Sequence, residues 1–128
     1  MTVTEPVEQA DLFLVGEPND PTALCASSCA SCGRVSFPRR SRCPACAETS
    51  APVALRGPAR LRALTSVLAQ PPGAKVSAPY DVGVAEFEEG ICVIGLIDGA
   101  AERGDRVVPI VHEPYPGGRI FAFRRVTS

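Results

Sequence analysis

CASSCASCGRVSFPRRSRCPAC, residues 25–46, holds five of the chain's six cysteines. Two pairs within it have the Cys-x-x-Cys spacing, Cys29-Ala-Ser-Cys32 and Cys43-Pro-Ala-Cys46, with ten residues between them. At this spacing the chain turns tightly enough for both thiolates to face one cation, while following backbone N–H groups point at the sulfurs. Two such knuckles complete a closed four-cysteine zinc site of the zinc-ribbon kind. Gly33 suits the bend after the first knuckle, and Pro44 presets φ in the second. Ala47 stands where a second glycine is expected. The span GRVSFPRRSR reads as a short hairpin with Phe37 covering the metal. Four thiolates leave tetrahedral zinc no position for water, so the expected role of the zinc is structural.

Cys25 and Cys92 remain. Cys25 could replace Cys29, but Cys25-x3-Cys29 makes a poorer knuckle, and Cys29 keeps the regular distance to Cys32-Gly33. Cys25 is therefore read as a spare thiol beside the site. Cys92 lies in the apolar run ICVIGL and is read as a buried small hydrophobe. The single histidine, His112, is far along the chain, so spacing supports no Cys–His catalytic pair.

The chain has 128 residues, with 13 Pro and 11 Gly, a composition of short elements and many turns. Charge is unevenly spread. Residues 1–24 carry five acids and no base, residues 25–62 seven arginines and one acid, and residues 63–128 six bases and eight acids. The cysteine segment is thus the basic one. No apolar run approaches the roughly 20 residues of a membrane span. The opening MTVTEPVEQAD lacks a signal-peptide layout, and a cytoplasmic location is the expectation. In a reducing compartment, clustered cysteines bind metal or do chemistry more often than they form disulfides.

Beyond the cysteines the pattern is of strands. Residues 59–69 alternate, with Leu61, Ala63, Thr65 and Val67 on one face. QPPGAKVSAPY is a loop, DVGVAEF and ICVIGL form a hairpin about the turn EEG, RVVPIVH is a fourth strand, and EPYPGG turns into RIFAF. EQADLFLVG, at the front, reads as a short helix or an extended arm. The expected architecture is mainly β: an arm at 1–24, a four-cysteine zinc ribbon at 25–52, and a five-stranded OB-type barrel at 53–128. No P-loop, dinucleotide-binding glycine pattern or Gly-x-Ser-x-Gly is present.

The motif Cys29-x-x-Cys32-Gly33-x-x-x-Phe37-Pro38-x-Arg40, then Cys43-Pro44-x-Cys46, resembles that of the acyl-CoA-associated OB-fold proteins with an N-terminal zinc ribbon. Ala78-Pro79-Tyr80, leading into a hairpin with a Glu-Glu-Gly turn, is a second shared region, and the likeness runs over roughly residues 22–126. Ala47 and Cys25 are departures from the pattern. The resemblance implies a non-catalytic subunit in a hetero-oligomer with a thiolase-fold enzyme: a thiolase, a sterol-carrier-protein-type thiolase, a retro-aldolase or an acyltransferase. The partner would supply the nucleophilic cysteine and the histidines, and the small subunit would steady the complex and help receive acyl-CoA.

CoA carries several phosphate charges, which the guanidiniums of Arg34, Arg39, Arg40, Arg42, Arg56, Arg60 and Arg62 are suited to bind. Arg39, Arg40 and Arg60 are the candidate contacts. The competing expectation for these arginines is a solvated face, or pairing with the acidic arm. Loop 70–80 is a candidate to reach the partner's active-site mouth. Exposed Val, Leu and Ile on one barrel face would serve docking. A second function class is single-stranded nucleic-acid binding, which zinc ribbons and OB barrels both perform. It needs exposed aromatic platforms and usually a basic domain. Here the barrel segment is acidic and lacks Trp, and its aromatics are Phe87, Phe121, Phe123, Tyr80 and Tyr115.

Overall fold

The computed structural model describes residues 12–14, 17–68 and 79–126. Three strands, β1 (Leu24–Cys29), β2 (Val35–Ser36) and β3 (Ser50–Leu55), form a sheet in the order β2-β1-β3. Five more close a barrel in the order β4-β5-β6-β8-β7: β4 (Ala59–Val67), β5 (Tyr80–Glu86), β6 (Cys92–Asp98), β7 (Arg106–Tyr115) and β8 (Gly118–Arg125). All neighbours are antiparallel except β6 and β8. A five-stranded barrel with one such crossover is the Greek-key arrangement of the OB type. No helix occurs among the described residues.

The ribbon sheet runs through the expected junction at residue 52. β3 pairs with β1 from Cys29↔Ser50 to Leu24↔Leu55, and the barrel begins at Ala59 after only Arg56, Gly57 and Pro58. Of the front stretch, Leu12–Leu14 is extended. Phe13 bridges Leu24, and Leu14 N–H donates to the Ala23 carbonyl at 3.0 Å. The rest of that stretch, 8–11 and 15–16, lies outside the described residues. Residues 19–22 then run beside β7: Asn19 N–H donates to Val111 O, and Thr22 N–H to Pro109 O. Arg124 holds this arm from β8, its guanidinium reaching Asn19 Oδ1 at 3.0 Å and Asp98 Oδ2 at 2.8 Å.

One core serves ribbon and barrel. Leu24, Ala26 and Leu55 belong to the same buried cluster as Leu61, Val93, Val107 and Phe123. Phe121 is the joint. Its ring packs edge-on against Phe37 of the ribbon at 5.8 Å, Phe13 of the arm at 6.3 Å and Phe123 of the barrel at 5.8 Å. Such pairs add to what ring burial contributes. Phe37, expected over the metal, thus finds its aromatic neighbour in the barrel, and GRVSFPRRSR is no hairpin of its own because β2 pairs with β1.

Two expectations are corrected by strand geometry. In β4 the register slips between Leu61 and Ala63. Arg62 is the extra residue, so Leu61 points inward while Ala63 and Thr65 are exposed. A bulge of one residue turns everything after it to the other face, and the four-residue face Leu61–Val67 does not exist. In β6, Val93 is buried whereas Cys92 is exposed and Ile94 is 67% exposed. Cys92 is therefore no buried hydrophobe. ICVIGL is an apolar run with only one face in the core, because among the described residues no other layer covers the outer face of β6.

Candidate metal centre and arginine grooves

The two knuckles are built alike, hydrogen bond for hydrogen bond. Cys29 N–H donates to Arg34 O at 2.9 Å, and Gly33 N–H donates to Cys29 O at 2.9 Å. In the second, Cys43 N–H donates to Glu48 O and Ala47 N–H to Cys43 O, both at 2.8 Å. Gly33 and Ala47 both have positive φ, 77° and 65°. The first knuckle hangs from the end of β1. The second sits in a turn braced by Ser50 N–H donating to Ser41 O and by Arg42, whose guanidinium donates to Ala47 O at 3.1 Å. Arg42 is thus a structural arginine of the ribbon.

Together these turns place Cys29, Cys32, Cys43 and Cys46 with all four Sγ atoms within 4.8 Å of one another. The separations Cys29–Cys46, Cys32–Cys43 and Cys32–Cys46 are 3.4, 3.6 and 3.8 Å. Sulfurs at zinc's bond length of about 2.3 Å on a tetrahedron stand about 3.8 Å apart, so the cluster fits the ion. Cys25 lies outside it on β1, a half-buried free thiol. The first cysteine of each knuckle is buried and the second exposed.

The backbone prepares these sulfurs for a cation. Cys32 N–H points at Cys29 Sγ from 3.4 Å. This bond, helped by Ser31 N–H and the neighbouring thiols and opposed by burial, holds the Cys29 thiol down at about 6. Cys43 is lowered in the same way by the N–H groups of Cys46 and Ala45. Cys46 accepts from Glu48 N–H, yet the Cys29 sulfur, burial and the Cys43 and Cys32 sulfurs push it up to about 12. Four thiolates cannot share this space without a positive charge among them. Bound zinc would supply that charge and, with all four positions filled, would act as a cross-link rather than a reagent.

The candidate arginines fall into separate places. Arg39 and Arg40 line a groove of about 390 Å³ on the ribbon with Ser41, Ser50 and Pro52. Arg60 lines two grooves on the barrel instead. Arg34 borders a groove shared by the exposed Cys32 and Cys46 and the β5–β6 turn at Glu89 and Gly90. Arg62 pairs with Glu86 at 3.4 Å. Arg103 lines a barrel groove with Arg60, and no spacing signals it, since it comes from a turn 43 residues later. His112 Nδ1 lies 4.0 Å from Asp98 Oδ1. Loop 70–80 falls, up to residue 78, outside the described residues. Phe87 and Phe123 are buried, and Phe121 is spent on ring contacts.

Residues 23–50 match the family model of the ChsH2 rubredoxin-like zinc ribbon domain. Among solved structures, the chain is similar to one in the Ltp2-ChsH2(DUF35) aldolase, with 25% identity and a TM-score of 0.67, covering 82% of this chain and 86% of that one. It also shares its fold with a DUF35-family protein of unknown function from Sulfolobus solfataricus, at 19% identity and a TM-score of 0.57, covering 81% of this chain and 76% of that one. No curated protein matches. Residues 23–50 are therefore similar to the ChsH2 rubredoxin-like zinc ribbon, and they are carried on a barrel in a fold shared with these solved structures.

Proposed function

We propose that this chain is a non-catalytic accessory subunit of a thiolase-fold enzyme acting on acyl-CoA, where it steadies the complex and helps bind the CoA substrate. The observation that carries the reading is the match over four-fifths of the chain to a chain of an aldolase whose name joins two components, Ltp2 and ChsH2. The chemistry of the site is in keeping with it. A closed four-thiolate centre offers no Lewis-acid position, and His112 lies beside Asp98, the carboxylate that Arg124 also holds.

The barrel carries a surface suited to a protein partner. On the outer face of β4, β5 and β6, the cross-strand rows Ala63–Val84–Ile94 and Thr65–Val82–Leu96 contain no charge. Ala63, Thr65 and Ile94 in these rows are exposed. Uncharged centres of this kind characterise the cores of protein interfaces. Phosphate contacts by Arg39, Arg40 and Arg60 belong to the same proposal. The nucleic-acid reading finds little support, because Phe87 and Phe123 face inward.

The test is co-expression with a thiolase-fold protein encoded beside this chain, followed by size-exclusion chromatography and metal analysis. Co-elution with about one zinc per copy of this chain is the expected result. A zinc-loaded chain that elutes alone and retains single-stranded nucleic acid would replace this reading with the binding-module one.

A further inference from the structure

The four sulfurs of the ribbon are not equivalent. Cys29 and Cys43, first in their knuckles, are buried, and each accepts a backbone N–H at 3.4 Å, from Cys32 and from Ala45. Cys32 and Cys46, second in theirs, are exposed. Their Sγ atoms stand 3.8 Å apart, so the exposed pair takes one sulfur from each knuckle. Glu48 N–H donates to Cys46, whereas among the described residues the contacts of the Cys32 sulfur are with the Cys43 and Cys46 sulfurs. A thiolate without an N–H donor keeps its electron density, which makes Cys32 the better nucleophile of the exposed two.

Both exposed cysteines line one groove of about 490 Å³ between the ribbon and the β5–β6 turn. Arg34, which follows Cys32-Gly33, belongs to the same wall, and Glu89 and Gly90 line the side toward the turn. The Arg34 guanidinium has no ion pair or hydrogen bond among the described residues. The other two thiols lie elsewhere: Cys25 is half-buried on β1, and Cys92 is exposed on β6.

We infer that Cys32 and Cys46 form a pair oxidised by hydroperoxides, and that their oxidation releases the ribbon's zinc. Cys32 Sγ attacks the terminal oxygen of a hydroperoxide in the groove. The O–O bond breaks, and the other oxygen leaves as an alcohol, or as water from hydrogen peroxide, taking one proton from solvent while the Arg34 guanidinium donates to it. Cys46 Sγ then attacks the sulfenic sulfur of Cys32. An S–S bond forms, the S–O bond breaks, and the hydroxyl leaves as water with a second proton from solvent. The two thiolates have given up two electrons and one hydroperoxide has accepted them. A disulfide drawn across the knuckles removes two of four ligands, and Cys29 and Cys43 alone do not complete a tetrahedral site. The segment between the knuckles carries Phe37 to Phe121 and pairs with β1 over two residue pairs, so freeing its ends loosens the ribbon from the barrel. A dithiol reductant reverses the step by exchange at the disulfide.

The experiment treats the zinc-loaded full chain, alone, with hydrogen peroxide near neutral pH. A chromogenic chelator reports free zinc, and tandem mass spectrometry maps the disulfides. About one zinc per chain should be released, in step with a Cys32–Cys46 disulfide and faster than free cysteine is oxidised under the same conditions. Brief alkylation of the untreated zinc form should mark Cys32 and Cys46 before Cys29 and Cys43, and dithiothreitol with added zinc should restore the metal. Cys25→Ser and Cys92→Ser keep all four ligands and should release zinc as wild type does. Arg34→Gln also keeps them, and should release zinc about fivefold more slowly for want of one charged donor. The inference is overturned by zinc retained while Cys25 or Cys92 is consumed, by disulfides spread evenly over the four ligands, or by release no faster than free cysteine oxidises. Wild-type release from Arg34→Gln would overturn the part given to the guanidinium. Because no partner is present, failure here is distinct from failure to co-elute with a thiolase-fold protein.

Discussion

Ala47 stands to Cys43 as Gly33 stands to Cys29: each donates its N–H to the carbonyl of the first cysteine in its knuckle and holds a positive φ. A side chain in that left-handed region costs about 1–2 kcal/mol, part of which glycine returns through its freer unfolded state. Ala47→Gly is therefore expected to stabilise the zinc form by about 0.5–1 kcal/mol, seen as a rise of a few degrees in thermal unfolding. Gly33→Ala should lose a similar amount, since a Cβ there meets nothing within 4 Å and only the backbone resists it. Equal melting of Ala47→Gly and wild type would show that the second knuckle relaxes away from this φ.

Inside the barrel, Gly83 and Gly95 face each other across β5 and β6. A Cβ on Gly95 would come 2.8 Å from the rings of both Phe121 and Phe123, and one on Gly83 would come 2.6 Å from Leu61. Overpacking of this kind costs about 1–3 kcal/mol, so Gly95→Ala should lower the midpoint of urea unfolding. Cys92→Ala, three residues away on the exposed face, should change stability by less than about 0.5 kcal/mol. A neutral Gly95→Ala would mean that Phe121 is not held as the joint between ribbon and barrel.

Spacing made the zinc site readable because knuckle chemistry is local: each turn of five residues makes its own hydrogen bonds whatever lies around it. The barrel strands were readable for a related reason, since alternation and turn residues both act over a few positions. What escaped depends on partners distant in sequence. Phe37 meets Phe121, Arg103 shares a groove with Arg60, and the arm at residues 19–22 pairs with β7; no local pattern encodes these placements. The bulge at Arg62 escaped because it leaves the composition of β4 unchanged while reversing its faces. Cys92 was misplaced because an apolar run bounds what a strand can bury, not what it does bury.

The ligand set can be tested by metal counting. Cys25→Ser should keep about one zinc per chain, whereas Cys29→Ser or Cys43→Ser should lose it and unfold the ribbon. Protons released on zinc binding test the site's electrostatics. With Cys29 held at about 6 and Cys46 at about 12, Cys29 is already a thiolate at pH 7.5, and Cys46 gives up a whole proton. Fewer than four protons per zinc should therefore appear when titrations in buffers of different ionisation enthalpy are compared. In the metal-free fold, the lowered Cys29 contributes stability that is full above about 9 and lost as pH falls through about 6. Cys46, raised, does the reverse, contributing below about 9 and losing it as pH rises through about 12. Release approaching four protons would mean that the free ribbon does not hold this arrangement.

The uncharged outer face of β4, β5 and β6 gives the docking proposal its sharpest test. Ile94 is 67% exposed and sits in the row with Val84 and Ala63, so it contributes little to the core of the free chain. Ile94→Asp should leave the melting temperature and zinc content of the isolated chain nearly unchanged, within about 0.5 kcal/mol. Placed at the centre of an apolar interface, the same carboxylate would be buried without a partner, at a cost of several kcal/mol. Co-elution with the thiolase-fold protein should then fall by at least about a hundredfold in affinity. Ile94→Ser separates the two causes: it removes apolar area without adding charge and should weaken binding less. If Ile94→Asp co-elutes as wild type does, the partner sits elsewhere, and the arginine side of the barrel becomes the surface to vary next.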